Sequence, residues 1–235
     1  MISNATPLFR DRRDAGRQLL GQLPHLDPKS TVVIALPRGG VPAAEEIAHA
    51  LHLPLDVVLV RKVGLPGQPE VAVAAVTDGG NPVFAINRQI ADMAGLSDAD
   101  IRALALPQMA EIERRRGLWR GDRPDLRLVG KTVVVVDDGI ATGATMKAAL
   151  DTLRRAGAAR LILAVPVAAA DALADLLRFV DEAICLSVPH PFRAVGAHYQ
   201  DFRQITDAEV AKALQAVSAK PMAGRVTHKS FGQSP

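Results

Sequence analysis

A run of four β-branched apolar residues, 133–136, leads directly into two aspartates and a turn rich in glycine and threonine. Such a run is typical of a central parallel strand that is covered on both faces. The acidic pair Asp137 and Asp138 then falls at the carboxyl end of this strand, where ligands bind in open α/β sheets. From Gly143 to Arg155 the apolar residues have helical spacing, so the turn opens onto a helix N-terminus. The segment therefore predicts a strand–turn–helix unit with a ligand site at its turn.

The turn has the groups that a sugar phosphate needs. A helix N-terminus offers free N–H groups and a positive dipole end, which bind a phosphate without a lysine. Thr142 and Thr145 can add hydroxyl donors, and glycines let the backbone approach the ligand closely. The two aspartates can accept hydrogen bonds from vicinal sugar hydroxyls. The alternative is a surface loop after an ordinary strand, in which both aspartates are merely solvated.

The thirteen residues from Val133 to Thr145 resemble the signature of the type I phosphoribosyltransferases, which bind 5-phosphoribosyl 1-diphosphate (PRPP). The resemblance implies that Asp137 and Asp138 hold the ribose 2′ and 3′ hydroxyls. It also implies that they contact a Mg²⁺ ion indirectly, through the ligand or a water molecule. The loop that would hold the 5′-phosphate consists of Gly139, Ile140, Ala141, Thr142, Gly143, Ala144 and Thr145.

A second predicted strand also runs into a glycine-rich turn, at residues 35–42. It resembles the diphosphate-binding loop of the same family. The guanidinium of Arg38 can hold a diphosphate through two oxygens, and Gly39 and Gly40 allow N–H groups to face it. The resemblance further implies a cis peptide bond just before Arg38 or Gly39. The alternative is a plain Gly-Gly turn with an exposed arginine.

A third segment, which begins at Arg61 and Lys62, follows a predicted strand and then loses all periodicity. It is similar to the basic pair and Leu-Pro-Gly stretch that precede the flexible loop of adenine-type members. We therefore expect residues from about Gly64 to Thr77 to form a mobile lid that excludes water from the reacting carbon. The alternative is an exposed loop with solvated cations.

The resemblance also assigns catalytic roles to three residues. Displacement at C1 of PRPP leaves negative charge on the departing diphosphate, which Arg38, together with Arg61 or Lys62 and Mg²⁺, would neutralise. Glu70 in the expected lid is the candidate base or hydrogen-bond acceptor for the acceptor molecule. The resemblance thus predicts Arg38, Lys62 and Glu70 as catalytic residues.

The expected acceptor follows from one residue at which this chain differs from a subfamily of these enzymes. In members specific for 6-oxopurines, an aspartate three residues after the acidic pair acts near N7 of the base, whereas this chain has Ala141 there. A methyl group cannot accept a proton, so adenine or another amino-bearing heterocycle is expected. Phe192, Tyr199 and Phe202 could stack on such a base, or they could simply pack the C-terminal helix onto the sheet.

The rest of the chain indicates a single α/β domain. Apolar runs alternate with helical patterns, which predicts a mostly parallel sheet flanked by helices, with a small hood or inserted helical segment. We expect one domain over residues 1–218, with a helical insert at about 87–127 and a disordered tail at 219–235. The strands are expected at 31–36, 55–60, 82–86, 132–136, 161–165 and 183–188.

Composition and net charge indicate which molecules this protein is expected to bind. No apolar run is long enough to span a membrane and the N-terminus lacks a signal peptide's pattern, so a cytoplasmic location is expected. A net charge of +3 suits an anionic small molecule and does not require a nucleic acid. The expected partners are PRPP and a small-molecule acceptor, and a homodimer is possible.

The function predicted from the sequence is transfer of ribose 5-phosphate from PRPP to a nitrogen acceptor, with release of diphosphate and with Mg²⁺. The alternative is a non-catalytic regulator of the same fold that senses PRPP or a nucleotide and binds RNA or a protein through its arginine-rich insert. Arg114, Arg115 and Arg120 would then form an electropositive stripe, whereas acidic neighbours that cover them would weaken this alternative.

Overall fold

The computed structural model describes residues 8–78, 83–121, 123 and 126–218. The predicted tail at 219–235 lies outside the described residues. The helices are α1 (Arg12–Leu20), α2 (Val41–Leu51), α3 (Arg88–Met93), α4 (Asp98–Arg120), α5 (Ala144–Arg155), α6 (Ala170–Leu176) and α7 (Asp207–Ser218). The strands are β1 (Thr31–Ala35), β2 (Leu55–Val57), β3 (Val60–Leu65), β4 (Gln68–Thr77), β5 (Val83–Ile86), β6 (Thr132–Val136), β7 (Arg160–Val167) and β8 (Glu182–Ser187).

A parallel sheet with the order β2-β1-β6-β7-β8 forms the centre of the molecule. One apolar cluster packs α1, α2 and α7 onto one face of this sheet, and a second packs α5 and α6 onto the other. The expected mostly parallel sheet flanked by helices is therefore confirmed. Because Ala35 pairs with Val136, β1 and β6 end side by side, and the two glycine-rich turns leave the sheet at the same edge.

A smaller antiparallel sheet, β3-β4-β5, lies beside the central one. The prediction of one strand over 55–60 is wrong, because β2 stays in the parallel sheet and β3 begins the second sheet. The expectation that the chain after Arg61 has no regular structure is also wrong. This segment forms a hairpin of β3 and β4, and its turn contains Gly67 with a φ of 77°. Backbone hydrogen bonds to neighbouring strands stabilise this hairpin, although its side chains lack the alternation that marks a strand in the sequence.

The insert after β5 is helical in its described part, where it contains α3 and α4. Ser97 and Asp100 cap α4 with reciprocal hydrogen bonds. The helix α4 packs against β3, β4 and α7, and its Trp119 is buried in the core. In the described part of the chain, no helix is both long and apolar enough to cross a membrane.

Candidate active site

The acidic pair lies where β6 ends. The backbone N–H of Asp138 donates to Oδ1 of Asp137 at 2.8 Å, which orients the Asp137 carboxyl group. Burial raises the pKa of Asp137 well above its usual value, and the neighbouring charge of Asp138 raises it further. Burial also raises the pKa of Asp138, although a cation beside it acts in the opposite direction. The pair is thus a sheltered set of oxygen acceptors at the edge of the sheet.

That cation is Arg12, at the start of α1. Its Nε donates to Oδ2 of Asp138 at 2.7 Å, and its side chain is only 9% exposed. Its Nη1 donates to the carbonyl of Arg203 at 2.9 Å, and its Cζ lies 3.8 Å from the ring centroid of Phe202. Sequence reasoning missed Arg12, because 126 positions separate it from Asp138 and no local motif marks it.

The second glycine-rich turn packs directly against the acidic pair. The Pro37–Arg38 peptide bond is cis, at one of the two expected places. A Cβ added to Gly39 would come within 3.0 Å of the Asp138 carboxyl group, and one added to Gly40 would collide with the backbone at the end of β6. Only glycine lets the two loops approach this closely. The structure thus brings together two segments that lie about a hundred residues apart.

The guanidinium of Arg38 is directed to the start of α7. Its Nη1 lies 3.6 Å from Oδ1 of Asp207, which also accepts a 3.1 Å hydrogen bond from Nε1 of Trp119. The Arg38 side chain is 28% exposed. A guanidinium held by one long ion pair at a partly exposed position can be turned towards an anion in the site at small cost.

The loop from Gly139 to Thr145 is anchored at its start and open at its end. Ile140 is buried and pairs with the chain after β7, through hydrogen bonds from its N–H to the carbonyl of Val167 and from the N–H of Ala169 to its carbonyl. Gly143 caps α5 with a φ of 73°, a conformation that favours glycine, and no side chain caps this helix end.

The residues at this helix start are open to solvent. Thr142, Ala144 and Thr145 are exposed. The first N–H groups of α5 and two threonine hydroxyls are therefore open to solvent a few residues after the acidic pair, and such a helix start can bind a phosphate.

The hairpin places its three predicted site residues in different surroundings. Lys62 is exposed and lines an open cleft of about 770 Å³ that also touches Thr145. Arg61 donates from Nε to Gln108 of α4 at 3.1 Å, which directs it to the helical insert. Glu70 is exposed near the hairpin turn. Lys62 and Thr145 therefore line the same cleft, whereas Arg61 is bonded to the helical insert and Glu70 lies at the exposed hairpin end.

Tyr199 packs in the core rather than offering a surface for stacking. It is 5% exposed, its ring centroid lies 5.3 Å from that of Phe9, and its hydroxyl donates to the backbone carbonyl of Asp138 at 2.6 Å. Burial raises the pKa of Tyr199, so the hydroxyl remains a donor. Tyr199 therefore packs rather than stacks on a base, but it packs against Phe9, α1 and the end of β7 and not, as expected, between the C-terminal helix and the sheet. Phe202 is 37% exposed and lies beneath Arg12.

The arginines of α4 are paired with acidic neighbours. Glu111 accepts from Arg114 at 2.7 Å and from Arg115 at 2.6 Å, and these contacts lower the pKa of Glu111 to about 2. Arg120 is buried and donates to Asp56 at 2.6 Å. Because each of these guanidinium groups is paired with a carboxylate, the regulator alternative is weakened.

The sequence model of the phosphoribosyl transferase domain matches residues 10–201, a span that contains both glycine-rich turns, the acidic pair and Arg12. The chain belongs to the phosphoribosyl transferase family. The cis peptide before Arg38, the acidic pair and the start of α5 all lie within the matched residues.

Known relatives agree with this assignment. Proteins named "Putative phosphoribosyl transferase" from two strains of Mycobacterium tuberculosis are 45% identical over 207 residues, which cover 88% of this chain. The match covers 46% of those proteins, so this chain spans about half the length of its curated relatives. The crystal structure of TT1426 from Thermus thermophilus superposes with a TM-score of 0.77 at 43% identity, covering 88% of this chain and 98% of that one.

Proposed function

We propose that this phosphoribosyl transferase transfers the ribose 5-phosphate moiety of PRPP to a nitrogen acceptor and releases diphosphate. The observation that carries the proposal is the packing of the glycine turn at 39–40 against Asp138, whose own turn leads within five residues to the open start of α5. This packing supports a site in which the start of α5 would bind the phosphate, the acidic pair the sugar and the glycine turn the diphosphate. PRPP has these three parts in the same order.

Each part of PRPP has a complementary partner. The 5′-phosphate would bind the loop Gly139–Thr145 and the first N–H groups of α5. The ribose hydroxyls would donate to the carboxylates of Asp137 and Asp138. The diphosphate would meet Gly39 and Gly40 through the backbone, and Arg38 through its guanidinium. The Lys62 side chain, on the rim of the cleft beside Thr145, supplies a further positive charge.

The acidic pair also suits a magnesium ion that arrives with its substrate. Mg²⁺ prefers carboxylate oxygens and water, and it is usually held by one or two carboxylates plus substrate phosphates. The pair supplies this number of carboxylates, and no larger cluster of His, Cys, Asp or Glu that could hold a metal occurs among the described residues. A bound ion would neutralise charge on the departing diphosphate. Asp137 and Asp138 would hold it indirectly, through the ligand or water.

The hairpin would protect the reaction from water. Loss of diphosphate leaves oxocarbenium character on the ribose, and water that reached C1 would hydrolyse PRPP. The tip of the hairpin, from Pro66 to Glu70, is exposed, and its strands enter from the side of the phosphate loop. We propose that it closes over the bound sugar as a rigid hairpin and that Glu70 then approaches the acceptor.

The acceptor is proposed to carry an amino group. Ala141 is exposed and cannot assist at N7 of a 6-oxopurine, so hypoxanthine and guanine lack a proton acceptor at this position of the loop. Adenine or another amino-bearing heterocycle fits better, with Glu70 as its hydrogen-bond acceptor.

A screen of acceptors tests this function. Purified protein is incubated with PRPP, Mg²⁺ and single nucleobases, and released diphosphate is measured. We expect turnover with an amino-bearing heterocycle, negligible turnover with hypoxanthine and guanine, and impaired turnover in Glu70→Gln. Rapid conversion of hypoxanthine would contradict the acceptor assignment. PRPP binding without turnover on any acceptor would instead favour a PRPP sensor.

A further inference from the structure

The guanidinium of Arg12 is held from three directions at the acidic pair. Its Nε donates to Oδ2 of Asp138 at 2.7 Å, and its Nη1 donates to the carbonyl of Arg203 at 2.9 Å. Its flat face lies 3.8 Å from the ring centroid of Phe202, a cation–π contact. A surface ion pair has none of these additional contacts, so the position of this side chain is fixed by its surroundings.

The opposite side of the Asp138 carboxyl group is also confined. Gly39 approaches so closely that no side chain fits between its backbone and the carboxylate. The backbone carbonyl of Asp138 accepts from the Tyr199 hydroxyl at 2.6 Å. Arg12 contacts Oδ2, which leaves Oδ1 as the oxygen that can accept from a ligand. The carboxylate thus has one orientation, and Arg12 selects it.

We propose that Arg12 is the positioning residue of the sugar site, which fixes the Asp138 carboxylate so that its free oxygen meets a ribose hydroxyl. The proposal rests on the proposed function, because it takes ribose as the ligand of the acidic pair. Arg12 itself touches the carboxylate and not the sugar. Through Phe202 and the Arg203 carbonyl, it also joins the chain before α7 to the site.

The neighbouring Arg13 is a matched control. It follows Arg12 in the same helix, its side chain is 48% exposed, and it pairs with Glu45 and Glu46 on α2. Arg13→Gln therefore removes one positive charge from the same helical turn without touching Asp138. Its effect on sugar binding should be negligible.

The experiment compares two ligands in calorimetry. Ribose 5-phosphate contains the hydroxyls that Asp138 would bind, whereas inorganic phosphate probes the phosphate loop alone. Arg12→Gln should lower the affinity for ribose 5-phosphate about 10- to 100-fold, because Asp138 loses the charge-assisted hydrogen bond that orients its carboxylate. The affinity for inorganic phosphate should not change. Arg12→Lys should restore part of the affinity, because it returns the charge without the planar fork. Phe202→Leu should weaken ribose 5-phosphate by a few-fold.

The outcomes separate this proposal from the proposed function. Equal weakening of both ligands would indicate a merely structural role and would overturn the proposal, as would wild-type affinity of a folded Arg12→Gln variant. In an Asp138→Asn background, Arg12→Gln should cause no further loss of affinity for ribose 5-phosphate, and an undiminished loss there would also overturn the proposal.

If Arg12→Gln does not fold, Arg12→Lys is the test, and wild-type affinity in that variant overturns the proposal. Wild-type protein that binds neither PRPP nor ribose 5-phosphate would overturn the proposed function, and the role of Arg12 with it.

Discussion

Gly39 lies against the carboxyl group of Asp138, so closely that a Cβ at position 39 would fall within 3.0 Å of all three carboxyl atoms. The two residues come from different turns, after β1 and after β6, and the parallel pairing of these strands sets them side by side. A change in the first turn must therefore displace the acidic residue of the second. This contact physically links the proposed diphosphate turn to the proposed sugar site.

Gly39→Ala should lower PRPP affinity about 10- to 100-fold, because the added methyl group displaces the Asp138 carboxylate from its position. Calorimetry measures this loss. Gly117→Ala is the control, since Gly117 lies within α4 and an added Cβ meets nothing within 4 Å. The control should bind PRPP as wild type does and be slightly more stable. Wild-type PRPP affinity in Gly39→Ala would show that the two turns do not act together.

Arg38→Ala should weaken PRPP about tenfold and leave ribose 5-phosphate unchanged, because only PRPP carries the diphosphate that the guanidinium would hold. Titration of both ligands into the same variant measures the difference. Arg178→Ala is the control, since it removes an arginine that forms an exposed ion pair with Asp175, and it should change neither affinity. An equal loss of affinity for PRPP and for ribose 5-phosphate would show that Arg38 does not bind the diphosphate.

The hairpin should become protected from proteases when PRPP and Mg²⁺ bind, because closure would bury its exposed turn against the rest of the site. Limited proteolysis followed by mass spectrometry measures cleavage between Gly64 and Thr77. The segment before β6 at Arg127 serves as an internal reference that should be cut at the same rate in both states. Identical cleavage of the hairpin with and without ligand would contradict a closing lid.

Asp78→Asn should stabilise the protein at neutral pH and have little effect in acid. Asp78 is 8% exposed, burial raises its pKa to about 6, and its Oδ1 accepts from the N–H of Leu59 at 2.8 Å. Because the folded state binds this proton more tightly than the unfolded state, stability falls as the pH rises from about 4 to about 6. Asparagine keeps the acceptor oxygen without the charge.

Chemical denaturation at several pH values measures this effect. The gain in the free energy of unfolding should be about 2–3 kcal/mol at pH 8 and should nearly vanish near pH 4. Asp175→Asn, which removes an exposed carboxylate paired with Arg178, is the control and should not stabilise the protein at pH 8. A gain for Asp78→Asn that is independent of pH would contradict the raised pKa.

The sequence predicts the parts of the site that are contiguous. The acidic pair and the phosphate loop could be placed because a buried strand, a turn and a helix start follow one another within thirteen residues. The strand β6 was predicted with its observed ends, 132–136, since its β-branched residues fit only a covered parallel strand. Helix caps are local in the same way, because Ser97 and Thr206 each exchange hydrogen bonds with the acidic residue three positions later.

The sequence does not predict which distant partner a strand or a side chain takes in the fold. Val57 and Val60 lie three residues apart and look alike, yet they belong to different sheets, because each strand takes the partner that packing offers. Arg12 has no local pattern that separates it from Arg13, and only the fold brings one to Asp138 and the other to α2. Tyr199 could stack on a base or pack in the core, and its burial against Phe9 decides the question.

Calorimetric titration of PRPP with Mg²⁺ tests the central claim most directly, namely that Asp137 and Asp138 hold the ribose of PRPP. We predict saturable binding to the wild type and a loss of about 100-fold or more when both residues are changed to asparagine, since each charged hydrogen bond contributes about 1.5–3 kcal/mol. Thr145→Val should cost less, because it removes one neutral donor and leaves the backbone cradle intact. Unchanged PRPP affinity in a folded Asp137→Asn, Asp138→Asn double variant would contradict the claim.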